Sequence, residues 1–188
     1  MTIQFVAAVI GISLYVLAGF FAYFFLSGFI WGAGFEPTRK KDIDVAAKLL
    51  GLREGMLVYD LGSGTGDVVI HLAKKYKVNC VGVEIEPLKA WISRLRISRS
   101  KELRELIKIK RGNFLNMDLS KAQAIYVFLS GGTKIMKKLE EKLANEQLDN
   151  VNLRIASYVH SFPDLKEESA SGEIRVYSFP DIERRTRQ

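Results

Sequence analysis

Hydrophobic and polar positions divide this chain into two unlike parts. Residues 3–31, IQFVAAVIGISLYVLAGFFAYFFLSGFIW, are apolar without a helical or strand period, and no Asp, Glu, Lys or Arg occurs among the first 35 residues. At about 1.5 Å per residue the run is about 43 Å long as a helix, against about 30 Å of bilayer hydrocarbon. Lipid forces a backbone to satisfy its own polar groups, so the run predicts one transmembrane helix. A cleaved signal peptide fits poorly, because no basic region precedes the run and no clear A-x-A site follows it. Arg39, Lys40 and Lys41 come soon after the run. The positive-inside rule then predicts a single-pass protein whose remaining domain lies on the cytoplasmic side, or on the matrix-equivalent side of an organelle.

From residue 36 the pattern becomes one of alternating elements. Residues 42–50, DIDVAAKLL, carry a helical period that Gly51 stops. A short apolar run over 56–60 predicts a buried strand, 67–76 a helix, and 78–84 (VNCVGVE) a second buried strand. Pro87 suits the first position of a helix running to about Ser98. Strands are expected over 106–110, 124–129, 151–159 and 173–179, with an amphipathic helix over 133–144. This order predicts an α/β domain at 36–188: a mostly parallel sheet with helices on both faces, preceded by the transmembrane helix at 1–35. The pattern leaves open whether the last two strands run antiparallel at one edge.

Charge and cysteine content narrow the chemistry. The formal net charge of +7 falls entirely on residues after 35, and residues 89–111 contain nine Lys or Arg against two Glu. Such a stretch is either a solvated helix face and turn or a patch for anionic headgroups or an acidic partner. Nucleic acid is not expected, because no aromatic stacking pattern accompanies the charges. The one cysteine, Cys80, and the two well-separated histidines, His71 and His160, give no metal spacing.

The candidate chemistry lies in VYDLGSGTGDVVI, residues 58–70. In a parallel sheet, ligands bind beyond the carboxyl ends of the strands. Here the first strand would end at Asp60, the turn Gly62-Ser63-Gly64-Thr65-Gly66 would lead into a helix, and the second strand ends in Glu84. A carboxylate there can accept both hydroxyls of a ribose. Dinucleotide binders space their glycines G-x-G-x-x-G, whereas the third glycine here comes one residue earlier and is followed by Asp67. Acids at 60 and 67 oppose a pyrophosphate and suit a ligand carrying a sulfonium and an ammonium. The pattern is that of S-adenosylmethionine binding.

On these residues the domain resembles the seven-β-strand (class I) methyltransferases, whose fold is Rossmann-like. It is most similar to the small protein-lysine methyltransferases of archaea and to their membrane-anchored mitochondrial counterparts. The resemblance covers roughly 34–179 and is carried by Phe35-Glu36-Pro37-Thr38, by VYDLGSGTG (58–66), by VGVEI (81–85) and by KRGNFLNMDLSKAQAIYVFLS (110–130). It implies that Asp60, Gly62, Ser63, Gly64 and Gly66 wrap the methionine part of S-adenosylmethionine and that Glu84 holds the ribose. It also implies that Asn113 and Phe114 flank the adenine, and that Pro37 and Thr38 belong to a segment over the cofactor. Phe128, Leu129 and Ser130 would border the methyl group and the incoming amine. Plain alternatives are core packing for Phe128 and Leu129 and a turn role for Asn113. The family commonly has G-D-G-R where this chain has Gly64-Thr65-Gly66-Asp67, so Asp67 does not inherit the arginine's contact.

The expected activity is lysine N-methylation of a protein at or near the membrane, with 3–31 as the anchor. A small molecule or lipid headgroup is the alternative acceptor, and a non-catalytic cofactor-binding module the alternative of another class. No residue is required as a general base, although Asp118, Tyr126 and Ser130 are candidates for orienting the amine. Oligomeric state is not readable from the pattern.

Overall fold

The computed structural model describes residues 2–31, 38–129, 132–146 and 153–179. The chain falls into two compact units, 1–35 and 36–188. The first contains helix α1 (Thr2–Trp31). Its large apolar side chains from Ile3 to Phe21 are exposed. The stretch Ile3–Tyr23, with mean hydropathy 2.3, is long and apolar enough to cross a membrane. Ser13 returns its hydroxyl hydrogen to Val9 O at 2.8 Å, so this polar group is satisfied within the helix.

The second unit begins with α2 (Lys40–Leu49) and continues through β1 (Leu57–Leu61), α3 (Asp67–Tyr76), β2 (Asn79–Glu84), α4 (Pro87–Ser98), α5 (Lys101–Leu106) and β3 (Ile107–Arg111). A 3-10 turn at Phe114–Asn116 precedes β4 (Ala124–Val127), α6 (Gly132–Asn145), β5 (Arg154–Tyr158), β6 (Glu167–Ser171) and β7 (Ile174–Ser178). They form one seven-stranded sheet in the order β3-β2-β1-β4-β5-β7-β6. The first five strands are parallel, while β7 runs antiparallel to both β5 and β6. Chain order reverses between β1 and β4, which opens a crevice at their carboxyl ends.

Strand alternation builds two cores. Val58, Cys80, Ala124 and Tyr126 face the layer of α2, α3, α4 and α5. Tyr59, Val81, Ile125 and Ile155 face α6 and the 3-10 turn. Burial on both faces explains why these strands read as unbroken apolar runs.

The predicted elements appear with bounds moved by one to a few residues. β1 ends at Leu61, one residue beyond Asp60, and β4 ends at Val127, so Phe128 and Leu129 lie in the loop after the strand. The open question at the sheet edge resolves as antiparallel. Two elements went unpredicted. α5 (KELREL) is polar and short, and Ser100 caps it by accepting from Leu103 N–H. β6 (EESAS) has no apolar period because it is the sheet's outer edge, and its register shifts between Glu167 and Ser169. Polar residues and a bulge are how edges resist pairing with other chains. Residues 151–152 of the expected 151–159 strand lie outside the described residues.

Leu139 on α6 is fully buried against the second face. Leu139→Ala is expected to cost about 2–5 kcal/mol of folding stability, read as a lowered urea midpoint of the full chain in detergent. An unchanged midpoint would mean that α6 does not seal this face.

Candidate active site

The glycine loop sits where β1 ends, at the crevice. Its backbone is tied to β2: Gly62 and Ser63 donate to Val83 O at 2.9 and 3.0 Å, and Gly66 donates to Ser63 O at 2.8 Å. Two of its glycines are required by space as well as by angle. At Gly62 (φ +87°) a Cβ would lie 2.8 Å from Leu129 Cδ2, and at Gly66 (φ +85°) it would lie 2.3 Å from Ser93 Oγ on α4. At Gly64 a Cβ would meet nothing within 4 Å, so the middle of the loop is open. Gly82 of β2 has no side chain where Ser63 packs; a Cβ there would come 2.8 Å from Ser63 Oγ.

Glu84 ends β2 with only 4% of its surface exposed. Its Oε2 accepts from Gly64 N–H at 2.7 Å and its Oε1 from Glu86 N–H at 2.8 Å. A carboxylate offers about four lone-pair sites, so each oxygen keeps capacity for a further donor. Gly112 N–H donates to Glu84 O at 2.9 Å, which sets Asn113 and Phe114 next to this corner. Asp60 is also buried, and its Oδ2 finds no hydrogen-bond partner among the described residues; nor does Ser63 Oγ. Burial, followed by the Glu84 and Asp67 carboxylates, pushes the Asp60 carboxyl up to about 8. A buried acid oxygen with no donor among the described residues suits a ligand that brings donors and positive charge.

Asp67 takes a different part from the one the sequence suggests. Arg96 of α4 donates to Thr65 O and to Asp67 Oδ1, both at 2.7 Å, and Thr65 Oγ1 donates to Asp67 Oδ2 at 2.9 Å. Burial opposes the Asp67 charge, but the hydrogen bonds from Arg96 and Thr65 outweigh it and hold the carboxyl below its ordinary value. Asp67 therefore closes the loop against α4. Arg96 was missed in the sequence; its one signal was an arginine three residues past Ser93 on the helix that follows the acid-ended strand.

The remaining predicted residues are placed as follows. Phe128 and Leu129 are half-buried just past β4, with Leu129 against Gly62. The Phe128 ring meets Tyr158 edge-on at 4.7 Å, and Tyr158 OH donates to Asp42 Oδ2 at 3.2 Å. Arg39 Nε completes that chain on Asp42 at 2.8 Å. Asp42 is a further residue the sequence did not single out. Thr38 Oγ1 lies 3.5 Å from Tyr126 OH beneath them. Asn113 Oδ1 accepts from Leu115 N–H and so caps the 3-10 turn, leaving its amide N–H groups as spare donors. The Phe114 side chain packs in the second core. Asp118, considered above for orienting the amine, is drawn elsewhere: it accepts from Ser120 N–H, and its neighbour Leu119 donates to Glu146 beyond the carboxyl end of α6. Pro37 and Ser130 lie outside the described residues.

The chain is similar to known proteins in sequence and in fold. Residues 60–169 match the family model of the ANTKMT methyltransferase domain. The protein-lysine N-methyltransferase of Saccharolobus islandicus (strain REY15A) is 30% identical over 113 residues, which cover 60% of this chain and 68% of that one. Cyclopropane mycolic acid synthase 2 of Mycobacterium leprae (strain TN) is 34% identical over 77 residues, 37% of this chain and 25% of that protein. The crystal structure of an RNA methyltransferase from Salinibacter ruber, in complex with S-adenosyl-L-homocysteine, superposes with a TM-score of 0.69. That superposition covers 78% of this chain and 95% of the other at 24% identity, and is a likeness of fold.

Replacing Arg96 with Met frees Thr65 O and the Asp67 carboxylate. Because the pair is partly solvated, the expected loss of stability is about 1–2 kcal/mol, visible as a lowered thermal midpoint. A midpoint equal to that of the parent would show that Arg96 does not hold the loop.

Proposed function

The chain belongs to the ANTKMT methyltransferase domain family, and we propose that it is a membrane-anchored protein-lysine N-methyltransferase acting on a membrane-associated protein. S-adenosylmethionine is its methyl donor. The observation that carries the site reading is the pair of buried carboxylates at the crevice, Asp60 with an Oδ2 that no described residue bonds and Glu84 fixed by two backbone N–H groups. In this reading Asp60 and the loop from Gly62 to Gly66 receive the methionine part, with its ammonium near Asp60. Glu84 receives the ribose hydroxyls, and Asn113 and Phe114 the adenine. Phe128, Leu129 and Ser130 border the reacting methyl, with Pro37 and Thr38 over the cofactor. Residues 3–31 anchor the chain in the bilayer, with the domain on the cytoplasmic or matrix-equivalent side.

The donor supplies an electrophilic methyl group on a sulfonium. The protein's own part is to hold the lysine amine in line with the carbon–sulfur bond, so that a nitrogen–carbon bond forms as that bond breaks. The amine must arrive neutral. The apolar edges of Phe128 and Leu129 strip water from it, and desolvation beside a cation lowers an ammonium's pKa. Positioning at about 3–3.5 Å then supplies most of the acceleration. Anchoring raises the effective concentration of acceptors that share the bilayer.

The test is transfer of tritium from labelled S-adenosylmethionine to source membranes by the full chain, beside a Glu84→Ala control. Label recovered as methyl-lysine in a protein band, and at least about tenfold weaker in the control, is expected. Label confined to the lipid or small-molecule fraction would replace the acceptor. Cofactor binding without any transfer would point to the non-catalytic module.

A second expectation concerns pH. Because Asp60 in the free protein is raised to about 8, its contribution favours the folded state below about pH 4 and is lost as pH rises toward about 8. A cationic ligand favours the ionised form, so binding should release a proton near neutrality and tighten as pH rises. Calorimetry in buffers of different ionisation enthalpy measures that release. Asp60→Asn should abolish it; equal heats for the parent in every buffer would contradict the assignment.

A further inference from the structure

Helix α4 is turned the wrong way for an ordinary surface helix. Its buried positions are Lys89, Ala90, Ser93 and Ile97, of which only Ile97 is a large hydrophobe. At about 100° per residue, Leu88, Trp91, Ile92 and Leu95 share the opposite side. Trp91 is 57% exposed and Leu95 42% exposed, while Leu88 and Ile92 are half-buried. Among the described residues of the second unit the other exposed large hydrophobe is Val159 on a different loop. Core packing does not explain this stripe, because the cofactor loop requires small residues on the inner side: Ser93 already stands where a Cβ on Gly66 would fall.

The surround of the stripe is cationic. Arg94, Arg99, Lys101, Arg104 and Lys108 are exposed on α4, α5 and the adjoining edge strand. Arg94 reaches over that edge to Ile109 O at 3.1 Å. Of the two acids in this stretch, Glu102 is paired with Lys77. Tryptophan and leucine among arginines and lysines on one helix face is the composition of surfaces that lie in the headgroup layer of anionic bilayers. A soluble acidic partner would match the cations but would leave the apolar stripe without a reason.

We propose that the outer face of α4, centred on Trp91 and Leu95 within the rim of Arg94, Arg99 and Lys101, docks onto the headgroup region of an anionic lipid bilayer. This rests on the membrane reading above for its lipid surface, but not on the span of α1. Since α4 starts directly after the strand that Glu84 ends, the docked face lies beside the crevice and turns the site toward acceptors at the bilayer surface.

The chain has two tryptophans, so Trp31→Phe leaves Trp91 as a sole reporter. The full-length variant is reconstituted into brominated phosphatidylcholine vesicles with or without phosphatidylglycerol. Trp91 emission should shift to shorter wavelength and be quenched in the anionic vesicles, and half-molar salt should reverse both. Arg99→Glu/Lys101→Glu should weaken docking by about tenfold or more, and Leu95→Ser should reduce it with the thermal midpoint kept. Retention in the vesicle pellet after an alkaline wash reports the anchor separately. Emission that is identical in both vesicles, or quenching that ignores salt and charge reversal, overturns the proposal even where the wash retains the protein.

Discussion

The site depends on one buried carboxylate that the backbone itself holds in place. Glu84 is taken out of water at the end of β2 and accepts two main-chain N–H groups, one from the glycine loop and one from the start of the next turn. A buried carboxyl group so placed is costly unless its oxygens find partners. Its demand therefore fixes the loop's path, and that path fixes the left-handed angles at Gly62, Gly64 and Gly66. The neighbouring acid, Asp60, is the counterpart: equally buried, with an oxygen that no described residue satisfies. Glu84 organises the glycine loop, and in the proposed reading Asp60 is the acid that meets the ligand.

A second constraint follows from closeness. The loop lies so tightly between β2 and α4 that a methyl group on Gly82 or Gly66 would collide with a serine. Apart from Ile97, the inner face of α4 is accordingly built from small or polar residues, and its other large hydrophobes lie outward. Arg96 and Asp67 then clasp loop and helix where apolar contact is not available. The chain of Arg39, Asp42, Tyr158 and Phe128 plays a like part on the other side, tying the start of the domain to the edge that would receive an acceptor.

Much of this was legible in the residues, for definite reasons. β1 and β2 are buried on both faces, so they read as apolar runs, and the glycine spacing with Asp60 and Glu84 pointed to their carboxyl ends, where the loop after β1 is tied to β2. α5 was hidden because six residues, mostly charged, carry no period, and β6 because an edge strand needs none. The pairings of Arg96 and Tyr158 could not be found in the sequence, since their partners lie about 30 and more than 100 residues away and only folding brings them together. Asp67 read only as an acid that suits a cationic ligand, and its pairing with an arginine on the next helix is again a product of folding.

The outward stripe of α4 also governs how the domain behaves apart from lipid. Its cationic rim keeps copies separated by repulsion that reaches about one Debye length, roughly 10 Å at 0.1 M salt. Added salt shortens that reach while leaving the attraction between exposed tryptophan and leucine surfaces intact. Solubility should therefore fall with ionic strength, so a buffer chosen to detach the protein from anionic surfaces is also the one that invites it to associate with itself.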